Sequence, residues 1–154
     1  MRKFAVTAAL LGLTALGVVA PAATSQAAES GATGPVCDSK WGARNGNMYA
    51  WDAGDCNGNP LIVASGDSTN WGGANDKASS VMNRGFTGNL SIVKFYFWEN
   101  YGQDAGHDAR NTCLYPGELY ADNLTDNTFS LGSTVDNNIR SHQWVNGGCG
   151  ATLT

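Results

Sequence analysis

The chain has 154 residues, with 9 Lys plus Arg against 13 Asp plus Glu, and only 14 % of it is charged, well below the usual quarter. That length supports one ordinary domain rather than two, and the acidic balance excludes the electrostatic footprint of a nucleic-acid binder. Apolar residues at 42 % and aromatics at 10 % exclude wholesale disorder, while 20 Gly point to a turn-rich β protein.

The first segment reads as an address. Arg2 and Lys3 form a positive start, Phe4 to Ala20 carry no charge, and Ser25-Gln26-Ala27 fits a small-x-small cleavage signal. Residues 1–27 are therefore expected to be a secretory signal peptide and the protein to be secreted and extracellular. Pro21 and the small-residue tail favour export with cleavage over a membrane anchor. Removing 1–27 takes two bases and no acid, leaving 7 bases against 13 acids. Residues 28–36 are small and polar and are expected to form a flexible lead-in, so that a single domain runs over 37–154.

Short apolar runs between turn residues then predict strands at Asn47–Trp51, Leu61–Ala64, Ser80–Asn83, Leu90–Trp98, Thr112–Tyr115 and Ile139–Val145. In the longest, Val93, Phe95 and Phe97 share one face, and Ile92, Lys94 and Tyr96 the other. Asp52 to Pro60 and Pro116-Gly117 are turns. Such a series suggests a sandwich or small barrel.

Cys37, Cys56, Cys113 and Cys149 all lie in the exported part, and an even number there reads as two disulfides. Of the three pairings, Cys37–Cys56 with Cys113–Cys149 is favoured because each would staple a segment end to nearby sheet; the other two stay open. The spacing matches no zinc site.

A weak repeat runs through the chain. Tyr49-Ala50-Trp51-Asp52 is echoed by Phe97-Trp98-Glu99-Asn100-Tyr101-Gly102, and each is followed by a polar hexapeptide. The hexapeptides are Asn75-Asp76-Lys77-Ala78-Ser79-Ser80 and Asp136-Asn137-Asn138-Ile139-Arg140-Ser141. The second copy carries about one extra surface loop, of a size that is usually functional or mobile.

Paired hexapeptides of this kind resemble the calcium-binding signature of βγ-crystallin domains: Asn/Asp, Asn/Asp, any, any, Ser/Thr, Ser, once per Greek key. With export and aromatic hairpins, the chain resembles the secreted actinobacterial metalloproteinase-inhibitor family of Streptomyces. That resemblance implies an all-β, βγ-crystallin-like two-Greek-key sandwich. It also implies calcium as cofactor, bound through Asp76, the backbone carbonyl of Lys77, Ser79, Asn137 and the backbone carbonyl of Asn138. Such oxygens suit a hard cation. Arg140 stands where the family places a hydroxyl ligand; a permanent cation accepts nothing, so the site it would complete is expected to be weakened. Cys56 stands where an aromatic is usual.

The resemblance implies a non-enzymatic peptidase inhibitor that blocks an extracellular protease, as a monomer, with neither nucleic acid nor membrane as partner. Its inhibitory loop is left unassigned between Gln103–Asn111 and Asp122–Thr134. The alternatives are a calcium-binding structural or stress protein and a carbohydrate-binding module, for which Trp71 in its Gly-rich loop is the expected exposed platform. His107 and His142 have no zinc-hydrolase spacing, and no nucleophile elbow or phosphate loop occurs.

Overall fold

The computed structural model describes residues 34–154. The expected signal peptide, 1–27, and residues 28–33 of the lead-in lie outside that range. Residues 34–36 are not a loose lead-in. They open a short helix, α1 (Pro35–Lys40), with proline at its start, where no intrahelical N–H is needed. The Asp55 carboxylate accepts from the N–H groups of Val36 and Cys37, both at 3.0 Å, satisfying orphan donors of the first turn from a remote loop.

Among the described residues, seven antiparallel strands form two sheets. The first holds β1 (Asn47–Trp51), β2 (Ile62–Ala64), β3 (Ser80–Arg84) and β6 (Tyr120–Ala121), in the order β2-β1-β3-β6. The second holds β4 (Ile92–Tyr96), β5 (Asn111–Leu114) and β7 (Ser141–Val145), in the order β5-β4-β7. The order shows an exchange between halves of the chain. β6 belongs to the second half but pairs with β3 of the first, Val81 opposite Ala121. Reciprocally, Ser68 of the first half bridges His142 on β7.

Alternation along the strands sets the core. Met48, Ala50 and Val81 of the first sheet meet Val93, Phe95 and Leu114 of the second, with Phe129, Ile139 and Leu153 filling the ends. Phe95 is fully buried, and its truncation to alanine is expected to remove about 3–5 kcal/mol. A second cluster lies on the outer face of the first sheet, where Trp51, Met82 and Tyr120 pack beneath α1 and its disulfide.

Cys37–Cys56 and Cys113–Cys149 are the two disulfides, spanning 19 and 36 positions. Cys37–Cys56 fastens α1 to the hairpin after β1. Cys113–Cys149 ties the terminal segment to β5, beside the backbone bonds from Cys113 to Ala151 and from Leu153 to Cys113. No helix among the described residues is long and apolar enough to cross a membrane.

Candidate functional site: two crossed hexapeptides

The halves build the same local device from different residues. In each, a strand runs into a hairpin bent by two consecutive residues with positive φ: Asp55 and Cys56 at 54° and 52°, Asn100 and Tyr101 at 48° and 61°. The last serine of each hexapeptide pins that bend. Ser80 Oγ donates to the Ala53 carbonyl (2.7 Å) and accepts from the Cys56 N–H (3.0 Å). Ser141 Oγ donates to the Trp98 carbonyl (2.6 Å) and accepts from the Tyr101 N–H (3.2 Å). A hydroxyl does both because it carries one donor and two lone pairs.

This geometry corrects the register of the repeat. Cys56 is equivalent to Tyr101 and Ala53 to Trp98, so Trp51 corresponds to Tyr96, just before the Phe97–Gly102 stretch in which the sequence shows its echo. Both Trp51 and Tyr96 accept, through their carbonyls, the N–H of the fifth hexapeptide residue, Ser79 and Arg140.

The hexapeptides also brace one another. Their second residues, Asp76 and Asn137, have φ of 56° and 55°, a left-handed conformation that Asp and Asn tolerate best after glycine. The Asp76 N–H donates to the Ile139 carbonyl (3.1 Å), and the Asn137 N–H donates to the Ala78 carbonyl (2.9 Å). Each second residue therefore bonds the fourth residue of the other motif, which brings Asp76 beside Arg140 and Asn137 beside Ser79.

The side chains break this equivalence. Arg140 Nε lies 2.9 Å from both carboxylate oxygens of Asp76, and its guanidinium lies over the rings of Trp98 and Phe97, at 5.0 and 5.4 Å. The internal cation thus occupies the carboxylate that an ion at the first site would need, and this site does not fit a metal. Asn75 is also engaged, bonding the Trp71 N–H, Asn70 and Glu99. Lys77 is exposed, and its ammonium donates to the Gly73 carbonyl.

At the second motif Asp136 takes the place of Asn75. Its Oδ2 accepts from Asn137 Nδ2 (2.8 Å), while its Oδ1 is buried with no hydrogen-bond partner among the described residues. An orphan buried carboxylate oxygen is costly unless something compensates it. Asn138 Nδ2 donates to the Asp136 carbonyl (2.9 Å), folding the turn around that oxygen. This oxygen set fits a hard cation better than the first. The described residues hold no group of three or more His, Cys, Asp or Glu that could bind a metal, so the fit rests on one carboxylate with amide, hydroxyl and backbone oxygens. Asp136 is not among the ligands the resemblance implies, although it heads the second hexapeptide.

Trp71 is not the exposed platform expected from its Gly-rich neighbours. It is 5 % exposed, packs edge-on against Phe95, and donates its indole N–H to His142 Nδ1 (2.8 Å). His142 is fully buried and bonds the Gly66 carbonyl through Nε2 (2.9 Å), so its neutral form is the one with Nε2 protonated. Burial pushes its pKa below the ordinary value of 6.5, against smaller upward pulls from the Gly66 carbonyl and Asp67.

Both stretches expected to offer an inhibitory loop lie largely at the surface. Residues 103–107 are exposed, and the segment is held by Asp104 on Asn100, by His107 stacked on Trp98 at 4.2 Å, and by the Asp108–Arg110 pair. Hydrogen bonding from Arg110 holds the Asp108 carboxyl at about 2. In residues 122–134 exposure alternates, with Leu124, Asn127 and Phe129 buried between exposed neighbours. The tip is a tight turn that presents an apolar side chain. Phe129 bonds Ser133 and Gly132 bonds Phe129 through the backbone, leaving Leu131 65 % exposed.

No protein-family model, curated protein or solved structure matches the chain.

Proposed function

We propose that the chain is a secreted, non-enzymatic inhibitor of an extracellular peptidase, built as two interlocked Greek keys of βγ-crystallin type. The exchange of edge segments between the sheets and the reciprocal bonds of the hexapeptides support the fold reading. The observation that carries the inhibitory reading is Leu131: a large apolar side chain on a tight turn whose base is fixed by the buried Phe129 and by Ser130. The Ser130 N–H donates to the Asn111 carbonyl, and Ser130 Oγ accepts from the Asn111 N–H. Asn111 Oδ1 in turn accepts from Gly150, next to the Cys113–Cys149 bridge. A preorganised tip of this kind enters a protease cleft with little further loss of entropy and is hard to pull apart once cut.

The test is a panel of thermolysin-type and subtilisin-type proteases assayed with excess protein. Inhibition of at least one class is expected, weakened about tenfold or more by Leu131→Gly, as for a buried interface anchor. Full protease activity at excess protein, for both classes, would sink the reading.

A second reading rests on the orphan oxygen of Asp136. The second hexapeptide, with Asp136, Asn137, the Asn138 carbonyl and Ser79, would hold one calcium ion, adding stability as a structural ion does. Thermal melts with calcium and with chelator test it; coincident melts and no heat in titration calorimetry remove it.

A further inference from the structure

Away from the hexapeptides, a cavity of about 300 Å³ opens on the outer face of the first sheet, beside α1. One wall is Tyr49 and Trp51, which strand alternation turns away from the main core. Their rings lie nearly parallel, with centroids 5.9 Å apart and planes inclined by 17°. A cation caps each ring: the Lys40 ammonium lies 5.3 Å from the centre of Trp51, and the Arg84 guanidinium 5.7 Å from that of Tyr49. Pro60 and Met82 supply further apolar lining.

The charges here are uncompensated. Lys40 donates to the carbonyls of Cys56 and Gly58, and Arg84 to that of Ala43; neither meets a carboxylate. The ion pairs among the described residues, Asp108–Arg110 and Asp76–Arg140, lie elsewhere. In a chain with more acids than bases, two bases without acid partners share one small cavity. Trp51, which lines the same cavity, is 2 % exposed, and its indole N–H is buried without an acceptor among the described residues. Two cations without carboxylate partners, each held over a ring at one cavity, call for an anion from outside.

We propose that this cavity binds a carboxylate carried on a compact apolar body. The two cations take the carboxylate, and Met82, Pro60 and the rings of Tyr49 and Trp51 take the body. The volume lies at the small end of ligand pockets and suits one ring or one apolar side chain rather than a polymer. A free organic acid and the C-terminal residue of a peptide share this chemistry.

The experiment is an NMR titration of the indole N–H signals with four probes: 3-phenylpropanoate, its amide, N-acetyl-glycyl-phenylalanine, and the amide of that peptide. The Trp51 signal is assigned from its loss in Trp51→Phe, or by backbone-linked resonance assignment if that variant does not fold. A saturable shift of the Trp51 N–H, a reporter on the cavity wall, is expected with the acids, with affinity lowered about tenfold for the amides and for Lys40→Gln or Arg84→Gln, the loss of one charge-assisted contact. Tighter binding of the peptide acid assigns the site to peptide C-termini; tighter binding of the free acid assigns it to small organic acids. No saturable shift at about 20 mM probe, weaker than any affinity a formed pocket should show, or equal binding of acid and amide, overturns the proposal.

Discussion

At the first hexapeptide the Asp76 carboxylate meets the Arg140 guanidinium on both oxygens; at the second, Asp136 keeps one buried oxygen unpaired among the described residues, with Ser79 standing where Arg140 does. The backbone around the two is the same: left-handed second residues, crossed N–H bonds and a serine pinning each hairpin. The difference therefore lies in side-chain charge and not in fold. One motif carries its own cation, covalently supplied by the other motif, while its counterpart holds a buried carboxylate oxygen with no partner among the described residues.

Four changes break or sharpen that comparison. The largest effect should come from the staples. Under the chain-entropy relation, replacing Cys113 and Cys149 by alanine is expected to cost about 4 kcal/mol, and replacing Cys37 and Cys56 about 3 kcal/mol, because the second closes the shorter loop. Denaturant unfolding of the two double variants measures the difference; equal losses would show that strain or denatured-state structure outweighs loop length.

Next comes the exchange of motif chemistry. Arg140→Ser gives the second hexapeptide the pattern of the first and should create a calcium-dependent rise in melting temperature, about 1.4 kcal/mol at calcium tenfold above Kd. Ser79→Arg and Asp136→Asn should remove any calcium response of the parent protein. Calorimetric titration of the three variants decides it, and a response untouched by either of the last two would place the ion elsewhere.

The third effect is acid sensitivity through His142. Its folded pKa lies below 6.5, so as pH falls through that value the unfolded chain binds the proton first. Stability is whole above about pH 6.5 and declines toward the folded pKa, by at most about 1.4 kcal/mol per pH unit. The protonated ring would lose the Trp71 N–H bond at Nδ1. Urea midpoints between pH 7 and 5 report this, and His142→Gln should flatten the profile if the buried imidazole is its source.

Smallest is Arg140→Gln, which removes the ion pair without restoring a hydroxyl. Both partners are partly exposed, with side-chain accessibilities of 26 % and 37 %, so a loss of less than about 1 kcal/mol is expected, shrinking with salt. A larger loss in melting experiments would mean that the stacking on Trp98 and Phe97, and not the Asp76 pair, holds the guanidinium.

Strands with clear alternation and turn boundaries were legible in the sequence. β1 has the predicted ends, and β3 and β7 differ by one and two residues. β4 is shorter than the run Leu90–Trp98 because Leu90 has positive φ and Phe97-Trp98 already enter the hairpin bend. β6 has two residues and exists only through pairing with β3, a tertiary contact that no local pattern announces. α1 is similarly remote in origin, because its N-terminal donors are met by Asp55.

The hexapeptide pair was readable as a motif, and the favoured disulfide pairing is the one observed. The partners of individual side chains were not. Arg140 was seen to spoil a site, but its bond to Asp76 depends on the crossing of the two motifs. Trp71 looked exposed because its neighbours are glycines; its burial follows from His142, distant in sequence and adjacent in space.

The exchange of edge segments has a practical consequence. Each disulfide joins residues within one half of the chain, and the connection between halves, residues 86–90, is exposed. A chain opened there would fall into two individually stapled pieces, each lacking the edge segment that the other carries. Such pieces should recognise one another and reassemble, which makes this connection a natural place to divide the protein into a complementing pair of fragments.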